Sequence, residues 1–264
     1  MTEPVTIVTG GSTGIGFAMA RRSVAAGENV VLIARDAERL EAAASELRAQ
    51  ARTERRVLSV PIDVTADGAA ERLEAHLVEA GLHPAVLVNN AGMGLAGAFA
   101  DNDLHDLERL LALNVAAVTR LTRHFLPGMI ARGSGVIINV SSLGGFTPGP
   151  YQAAYYASKA YVNALTEAIG WETFGTGVSV ILVAPGPVDT RFHHAMRAER
   201  ALYRLLLPAM SPQAVARWVW WGRRLGLRVV VPGLVYRLAS LAVRIVPHPI
   251  SLPLVSVLLR PRRR

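Results

Sequence analysis

The stretch TGGSTGIG at residues 9–16 joins an apolar run, VTIV at residues 5–8, to the segment FAMARRSVAAG, which has the pattern of a helix. Gly10, Gly14 and Gly16 would allow a tight turn whose backbone closely approaches a bound group. The N-terminus of the following helix would favour a negatively charged group such as a pyrophosphate. Glycines at a strand-to-helix connection also occur where nothing binds, so the stretch first indicates a strand, a tight turn and a helix.

Short apolar runs rich in Val and Ile recur along the whole chain. They begin at residues 5, 30, 57, 85, 136, 178 and 229, and segments with helical periodicity separate them. Runs that are apolar at successive positions are typical of strands buried on both faces. The alternation predicts an α/β fold, a doubly wound parallel sheet of about seven strands with helices on both faces. Ligands of such a sheet bind beyond the carboxyl ends of its strands, so the residues after each run are the candidates for function.

The composition limits the classes of protein to which the chain can belong. Its 264 residues are 51% hydrophobic, which is enough for the core of one large α/β domain. The absence of cysteine excludes disulfides and thiolate chemistry and suits a reducing compartment. Residues 1–3 lack the basic segment of a signal peptide, so we expect a cytoplasmic protein. The adjacent His193 and His194 cannot easily face one ion, so no metal site is predicted.

Positive charge is concentrated in the last quarter of the chain. Residues 197–264 contain 13 arginines and one acidic residue, Glu199, whereas residues 1–196 contain 15 basic and 19 acidic residues. The arginines alternate with Trp and Leu, which indicates an amphipathic surface for a membrane or another subunit and argues against nucleic acid. The longest apolar run, residues 245–259, is interrupted by three prolines. A membrane-spanning helix needs about 18 apolar residues. If the protein binds a membrane, we therefore expect this segment to lie on the inner face of the bilayer without crossing it.

Six further motifs follow the glycine turn in order. They are DVT at residues 63–65, NNAG at residues 89–92, Asn114 in LNV, Ser142 in NVSS, Tyr155 with Lys159 in a Y-x-x-x-K pattern, and PGPVDT at residues 185–190. Together with T-G-x-x-x-G-x-G, which differs from G-x-G-x-x-G, they resemble the short-chain dehydrogenase/reductase family up to about residue 192. The resemblance implies a Rossmann-type fold and an oxidoreductase that interconverts a carbonyl and a secondary alcohol with a nicotinamide cofactor. The alternative is a nucleotide-binding regulator or scaffold of the same fold without turnover.

The resemblance also implies roles for individual residues. The catalytic residues would be Asn114, Ser142, Tyr155 and Lys159, with Ser142 donating to the substrate oxygen and Asn114 holding a water. The cofactor would contact Gly10, Ser12, Thr13, Gly14, Ile15, Gly16, Arg35, Asp63, Val64, Asn90, Ala91, Gly92, Tyr155, Lys159, Pro185, Gly186, Val188 and Thr190.

Lys159 is the only lysine in a chain with 27 arginines, and it follows two adjacent tyrosines. A free tyrosine has a pKa of about 10, and an opposite charge close by can lower such a pKa by about 1 to 3. On a helix, Tyr155 and Tyr156 both lie within reach of Lys159, so spacing leaves both as candidates. The register of the family selects Tyr155, which lies 13 positions after Ser142. The compact ammonium of Lys159 would also reach the ribose of the cofactor.

The second apolar run indicates which dinucleotide is used. NAD-preferring folds place an acid near the end of this strand, whereas the chain has Ala34 there, followed by Arg35. An arginine can hold a 2′-phosphate by paired, charge-assisted hydrogen bonds, which favours NADP(H) over NAD. Ser12 would add a hydroxyl contact. Asp36 is a competing ligand for the ribose, but an Asp directly before a helical pattern is more simply the N-cap of that helix.

Apolar side chains dominate the loops that the resemblance assigns to the substrate. Contacts are predicted for Met93, Ser142, Leu143, Phe146, Tyr151, Phe192 and Met196, with Leu95 and Leu202 nearby. They favour a lipophilic carbonyl or alcohol, such as a fatty-acyl or steroid-like compound.

The sequence also predicts how the chain is organised. Residues 1–233 would form the catalytic domain, with a substrate lid at about 187–212, and residues 234–264 an arginine-rich amphipathic extension. Helices that begin near residues 104 and 151 resemble the pair through which family members form dimers. We therefore expect a homodimer or homotetramer.

Overall fold

A computed structural model describes residues 2–51, 55–190, 192, 196 and 208–260. Its strands are β1 (Glu3–Thr9), β2 (Asn29–Ala34), β3 (Val57–Pro61), β4 (Leu82–Asn89), β5 (Gly135–Val140), β6 (Val178–Val183) and β7 (Val229–Val230). They form one seven-stranded parallel sheet in the order β3-β2-β1-β4-β5-β6-β7. Each apolar run of the sequence lies on one of these strands, so the predicted α/β fold is confirmed.

Helices cover both faces of the sheet. They are α1 (Gly14–Ala25), α2 (Ala37–Gln50), α3 (Ala69–Glu79), α4 (Leu104–Leu111), α5 (Val118–Ala131), α6 (Ala153–Glu172), α7 (Pro212–Arg224), α8 (Leu234–Ile245) and α9 (His248–Leu259). A π-helical turn, Ala112–Ala117, joins α4 to α5. One hydrophobic core lies under α1, α2 and α7, and the other lies under α3 and α5. The sheet is therefore buried on both sides.

Successive residues of each strand enter opposite cores. In β2, Val30 and Leu32 pack into the first core, whereas Val31 and Ile33 pack into the second. All four side chains are fully buried, and burial of one such side chain contributes about 1.5–3 kcal/mol to folding. This is why residues 30–34 of β2 form a continuous apolar run without polar alternation.

The strand order reverses between β1 and β4. The chain runs outward from β1 to β3 and then returns to the other side of β1, so connections leave β1 and β4 in opposite directions. This reversal opens a crevice at the carboxyl ends of the two strands, where ligands of open parallel sheets bind.

The region after residue 233 forms α8 and α9. Pro249 lies in the first turn of α9, where its missing N–H costs nothing, and Pro253 lies inside that helix. Across the residues that the structure describes, every helix is too short or too polar to cross a bilayer. The domain boundary at residue 233 stays a prediction.

Candidate active site

The turn after β1 lies at the crevice and is packed against the end of β4. Gly10 and Gly14 have φ angles of 63° and 59°, in the left-handed region that favours glycine. A Cβ on Gly16 would lie 2.4 Å from the carbonyl oxygen of Gly10 and 2.5 Å from Asn90 Nδ2. The Asn90 amide in turn donates to the Thr9 carbonyl oxygen at 3.0 Å. The glycines are therefore required by the fold of the turn itself.

Thr9 connects the loop after β1 to the loop after β4 by hydrogen bonds. The sequence analysis did not assign this role to it. Its buried hydroxyl donates to the Val88 carbonyl oxygen at 3.3 Å and accepts from the backbone N–H groups of Asn90 and Ala91, both at 3.0 Å. A hydroxyl residue at the last position of the strand, directly before the glycine turn, is the signal that would have identified it.

The N-terminus of α1 is open to an anionic group. Its N-cap, Thr13, makes no side-chain capping bond, and the first turn contains no acidic residue. A Cβ on Gly14 would lie 3.1 Å from Thr190 Cγ2, which places the loop after β6 beside this helix start. Backbone N–H groups without a side-chain cap, beside a glycine turn, fit the pyrophosphate of a dinucleotide.

Two of the predicted cofactor residues pack into the protein. The side chain of Val64 is buried in the core under α3, and Ile15 packs against the core under α1. Contacts between these two residues and a cofactor would therefore come mainly from backbone atoms. Val188, at the other end of the crevice, is buried and pairs with Met210 in a short β-bridge.

Arg35 lies at the end of β2, beside Asp63. The distance from Arg35 Nη1 to Asp63 Oδ2 is 3.9 Å, and the arginine side chain is 74% exposed. Burial alone would raise the pKa of Asp63, but hydrogen bonds from the N–H and hydroxyl of Thr65, together with the Arg35 guanidinium, hold it below its ordinary value. Asp36 caps α2, as predicted, because its Oδ1 accepts from Arg39 N at 3.0 Å.

Tyr155 and Lys159 lie one turn apart on the buried face of α6. They are 8% and 5% exposed, and Lys159 Nζ lies 5.9 Å from the centroid of the Tyr155 ring. The ammonium donates to the Val140 carbonyl oxygen at 3.0 Å. Burial lowers the pKa of Lys159 to about 8, because desolvation penalises its charged form.

Asn114 lies in the π-helical turn and is fully buried. Its Oδ1 accepts from Met93 N at 2.9 Å, and its Nδ2 donates to the Met93 carbonyl oxygen at 2.8 Å and to Ser158 Oγ at 3.0 Å. A Cβ on Gly92 would lie 3.2 Å from Asn114 Oδ1 and 3.5 Å from Lys159 Nζ. Asn114 thus fixes the loop after β4 beside the lysine, in a type of helical irregularity that is frequent at functional sites.

Ser142 follows β5 and begins a short 3₁₀ helix, Leu143–Phe146. Its Oγ accepts from Gly144 N at 3.1 Å, which leaves the hydroxyl hydrogen available to another acceptor. Its neighbour Ser141 donates to the Lys159 carbonyl oxygen at 3.0 Å, so the end of β5 is attached to α6. These bonds hold the serine at the same end of the sheet as Tyr155 and Lys159.

The two adjacent tyrosines have different surroundings. The ring of Tyr156 packs on the loop before α6, since a Cβ on Gly144 or Gly149 would lie 3.0 Å or 2.3 Å from its ring atoms. The ring of Tyr155 instead contacts Phe192, with centroids 5.6 Å apart. This supports Tyr155 as the functional tyrosine and Tyr156 as a packing residue.

A small apolar cluster surrounds Tyr155. Its members are Leu110, Met196, Met93, Leu95, Ala96, Ala154, Tyr156 and Phe192. A Cβ on Gly94 would lie 2.6 Å from Met196 Sδ and 3.0 Å from Phe192 Cζ, so these two side chains close over the loop after β4. The sequence analysis did not predict that Leu110 belongs to this cluster. Leu110 precedes Asn114 by four residues and therefore shares its helical face.

Three of the other predicted substrate residues lie outside the apolar cluster around Tyr155. Among described residues, this cluster does not include Leu143, Phe146 or Tyr151. The Phe146 ring lies 4.2 Å from the Arg244 guanidinium carbon, and Tyr151 adopts a left-handed φ of 65°. Leu202, His193 and His194 lie outside the described residues.

Comparison with known proteins identifies the family. A family model described as short chain dehydrogenase matches residues 4–201. The chain therefore belongs to the short-chain dehydrogenase/reductase family, whose members are oxidoreductases that act on small-molecule carbonyl and alcohol substrates. The resemblance noted in the sequence is confirmed.

Individual relatives differ in substrate. The chain is 35% identical to very-long-chain 3-oxoacyl-CoA reductase of Bos taurus over 189 residues, which cover 70% of this chain and 59% of that protein. It is also 35% identical to sulfoacetaldehyde reductase 2 of Chromohalobacter salexigens over 234 residues, with 86% and 91% covered. The structure of a short-chain dehydrogenase from Sphingobium yanoikuyae in complex with NADPH superposes with a TM-score of 0.79 at 29% identity, covering 99% of this chain and 98% of that one.

Proposed function

We propose that the protein is an NADPH-dependent reductase of lipophilic ketones, of the fatty-acyl or steroid-like kind, in which Tyr155 delivers the proton. The observation that carries this proposal is the position of Tyr155. Its ring lies inside an apolar cluster, and the buried ammonium of Lys159 lies 5.9 Å from its centroid. An acid in apolar surroundings beside a cation is what reduction of an apolar carbonyl requires from the protein.

Each of the four predicted catalytic residues is assigned a role in this proposal, following the pattern of the family. Bound NADPH would supply the hydride to the carbonyl carbon. Tyr155 then gives its phenolic proton to the carbonyl oxygen, and the Lys159 ammonium stabilises the phenolate that remains. Ser142 uses its free hydroxyl hydrogen to stabilise negative charge on the same oxygen. Asn114 holds the loop at Met93 beside Lys159 and would carry the water that connects the lysine to solvent.

The preference for NADPH rests on Arg35. Its guanidinium is mostly exposed and only loosely paired with Asp63 at 3.9 Å, so its donors are available to a 2′-phosphate. One oxygen of Asp36 is occupied in capping α2, which weakens the case for a ribose contact from that residue. The S. yanoikuyae relative was solved with NADPH bound, and this agrees with the preference.

Replacing Arg35 with alanine should lower kcat/KM for NADPH by about 10- to 100-fold, because two charge-assisted hydrogen bonds would be lost. The value for NADH should change little. Initial rates with both cofactors measure the effect. Arg109→Ala is the matched control, since Arg109 is also exposed and also pairs with an aspartate, Asp106, at 3.5 Å. A higher kcat/KM for NADH than for NADPH in the wild type would contradict the proposed role of Arg35. An unchanged ratio of the two values in Arg35→Ala would contradict it as well.

A homologous series of ketones tests the substrate class. In NADPH oxidation assays with 3-ketoacyl thioesters of increasing length, kcat/KM should rise by about fourfold for each methylene buried, until the pocket is filled. A steroid ketone and sulfoacetaldehyde complete the series. The described members of the cluster around Tyr155 include no arginine to hold a sulfonate, so we expect the charged aldehyde to be a poor substrate. Faster turnover of sulfoacetaldehyde than of every apolar ketone would refute the lipophilic assignment.

We also propose the organisation of the molecule. By the sequence, residues 1–233 would form the catalytic domain and residues 234–264 an extension. The substrate lid predicted at about 187–212 lies mostly outside the described residues. Exposed apolar side chains on α4 and α6, among them Leu104 and Tyr161, support a homodimer or homotetramer. We place the enzyme in the cytoplasm.

A further inference from the structure

Helix α8 has the reverse of the usual amphipathic arrangement. Its buried residues are Tyr236 and Ser240, whereas Leu234, Val235, Leu238, Leu241 and Ile245 are 50–79% exposed. Helix α9 likewise exposes Ile250, Leu254 and Val257. These eight exposed residues are referred to below as the outer face. A helix of a soluble domain normally turns its apolar stripe inward, so apolar residues presented outward on two successive helices indicate a contact surface.

Specific contacts fix α8 in this orientation. The Tyr236 hydroxyl donates to the Pro208 carbonyl oxygen, and a Cβ on Gly186 would lie 2.5 Å from the Tyr236 ring. Near the other end of the helix, Arg244 pairs with Glu167 at 3.3 Å and lies over the ring of Phe146. The helix cannot rotate to bury its leucines without losing contacts at both ends.

The positive charge around the outer face indicates what kind of partner it binds. The chain contains no acidic residue after Glu199. Arg237 is exposed on α8 and Arg260 is exposed directly after α9, and three further arginines follow at residues 262–264 of the sequence. A symmetric contact with a second copy would bring these like charges together, which is unfavourable. A surface with anionic groups over an apolar interior can bind both kinds of residue, because the leucines enter the apolar interior and the arginines pair with the anionic groups.

We infer that the outer face of α8 and α9 docks the protein on a lipid bilayer that contains anionic headgroups. The inner face of α8 touches Gly186 in the predicted cofactor loop and Phe146 in the turn that begins at Ser142. Docking would therefore bring the bilayer, in which a lipophilic ketone dissolves, to within about one helix diameter, roughly 10–12 Å, of these loops. The docking itself does not depend on the proposed reaction.

Sedimentation of the full-length protein with lipid vesicles tests the inference. The wild type should bind vesicles of mixed phosphatidylglycerol and phosphatidylcholine, and binding should weaken with added salt and with phosphatidylcholine alone. Val235→Glu and Leu238→Glu should each reduce the partition coefficient by about tenfold or more. Val78→Glu on α3 is the matched control, since Val78 is 68% exposed and Val235 is 62% exposed. This control should bind as the wild type does.

Light scattering of the same variants decides between lipid and protein partners. The inference is overturned if wild-type protein stays in the supernatant with anionic vesicles, or if it binds pure phosphatidylcholine equally well. It is also overturned if Val235→Glu converts a larger oligomer into a smaller one, because the outer face would then be an interface between copies. Vesicle binding without ketone reduction would refute the proposed function and leave the docking surface intact.

Discussion

Replacing Tyr155 with phenylalanine should lower kcat for ketone reduction by about 10²- to 10⁴-fold, the range expected when a general acid is removed. The substitution deletes one oxygen atom and retains the ring that packs against Phe192. NADPH affinity, measured by fluorescence titration, should change much less than kcat. The loss should therefore appear in turnover, while the fold and the binding of cofactor persist.

Tyr156→Phe is the control for this experiment. Tyr156 is adjacent in sequence, is also a tyrosine, and lies 6.0 Å from Tyr155 between ring centroids, but its ring packs on the loop at Gly144 and Gly149. It should retain kcat within about threefold of the wild type, because its ring packing is unchanged. If Tyr156→Phe removes turnover and Tyr155→Phe does not, the tyrosine has been wrongly assigned.

Replacing Lys159 with methionine should abolish most turnover and at the same time stabilise the folded protein without cofactor at pH 7. Burial lowers the pKa of Lys159 from 10.5 to about 8, so the folded state holds the proton less tightly than the unfolded state. Between about pH 8 and 10.5 the unfolded chain binds more protons, and the stability of the wild type rises with pH. Below pH 8 the wild type carries the full cost of the buried ammonium, which methionine removes.

Thermal unfolding followed by circular dichroism at pH 7 and at pH 10 measures this effect. The Tm advantage of Lys159→Met should be largest at pH 7 and should shrink by pH 10. Lys159→Arg keeps a charge at this position at every pH and should show no gain. A methionine variant that is less stable than the wild type at pH 7 would mean that the ammonium is well compensated in the folded state.

Much of the fold could be predicted because its signals are local. Strand β2 is buried on both faces, so residues 30–34 appear as an uninterrupted apolar run. The capping role of Asp36 was also predictable, since the cap bond spans three residues. The predicted placement of Tyr155 and Lys159 on one helical face needed only the period of the helix.

The features that could not be predicted depend on contacts between distant segments. The bond between Thr9 and Asn90 joins residues 81 positions apart, and no local pattern encodes it. The reversed orientation of α8 also depends on distant contacts. Tyr236 is held on the inner side because its ring packs on Gly186 and its hydroxyl donates to the Pro208 carbonyl oxygen. Periodicity alone would have turned the leucines of α8 inward, since it shows which residues share a face and not which face is buried.

The bonds made by the Thr9 hydroxyl have a consequence for the order in which ligands bind. The loop after β4 begins with Asn90 and Ala91 on the cofactor side and continues to Met93 beside Tyr155. A dinucleotide held at the glycine turn would restrict this loop, so the entropy lost in shaping the substrate side would already be spent when the ketone arrives. We therefore expect ordered steady-state kinetics, with the nucleotide binding first and leaving last, as a consequence of the bonds made by one threonine at the end of a strand.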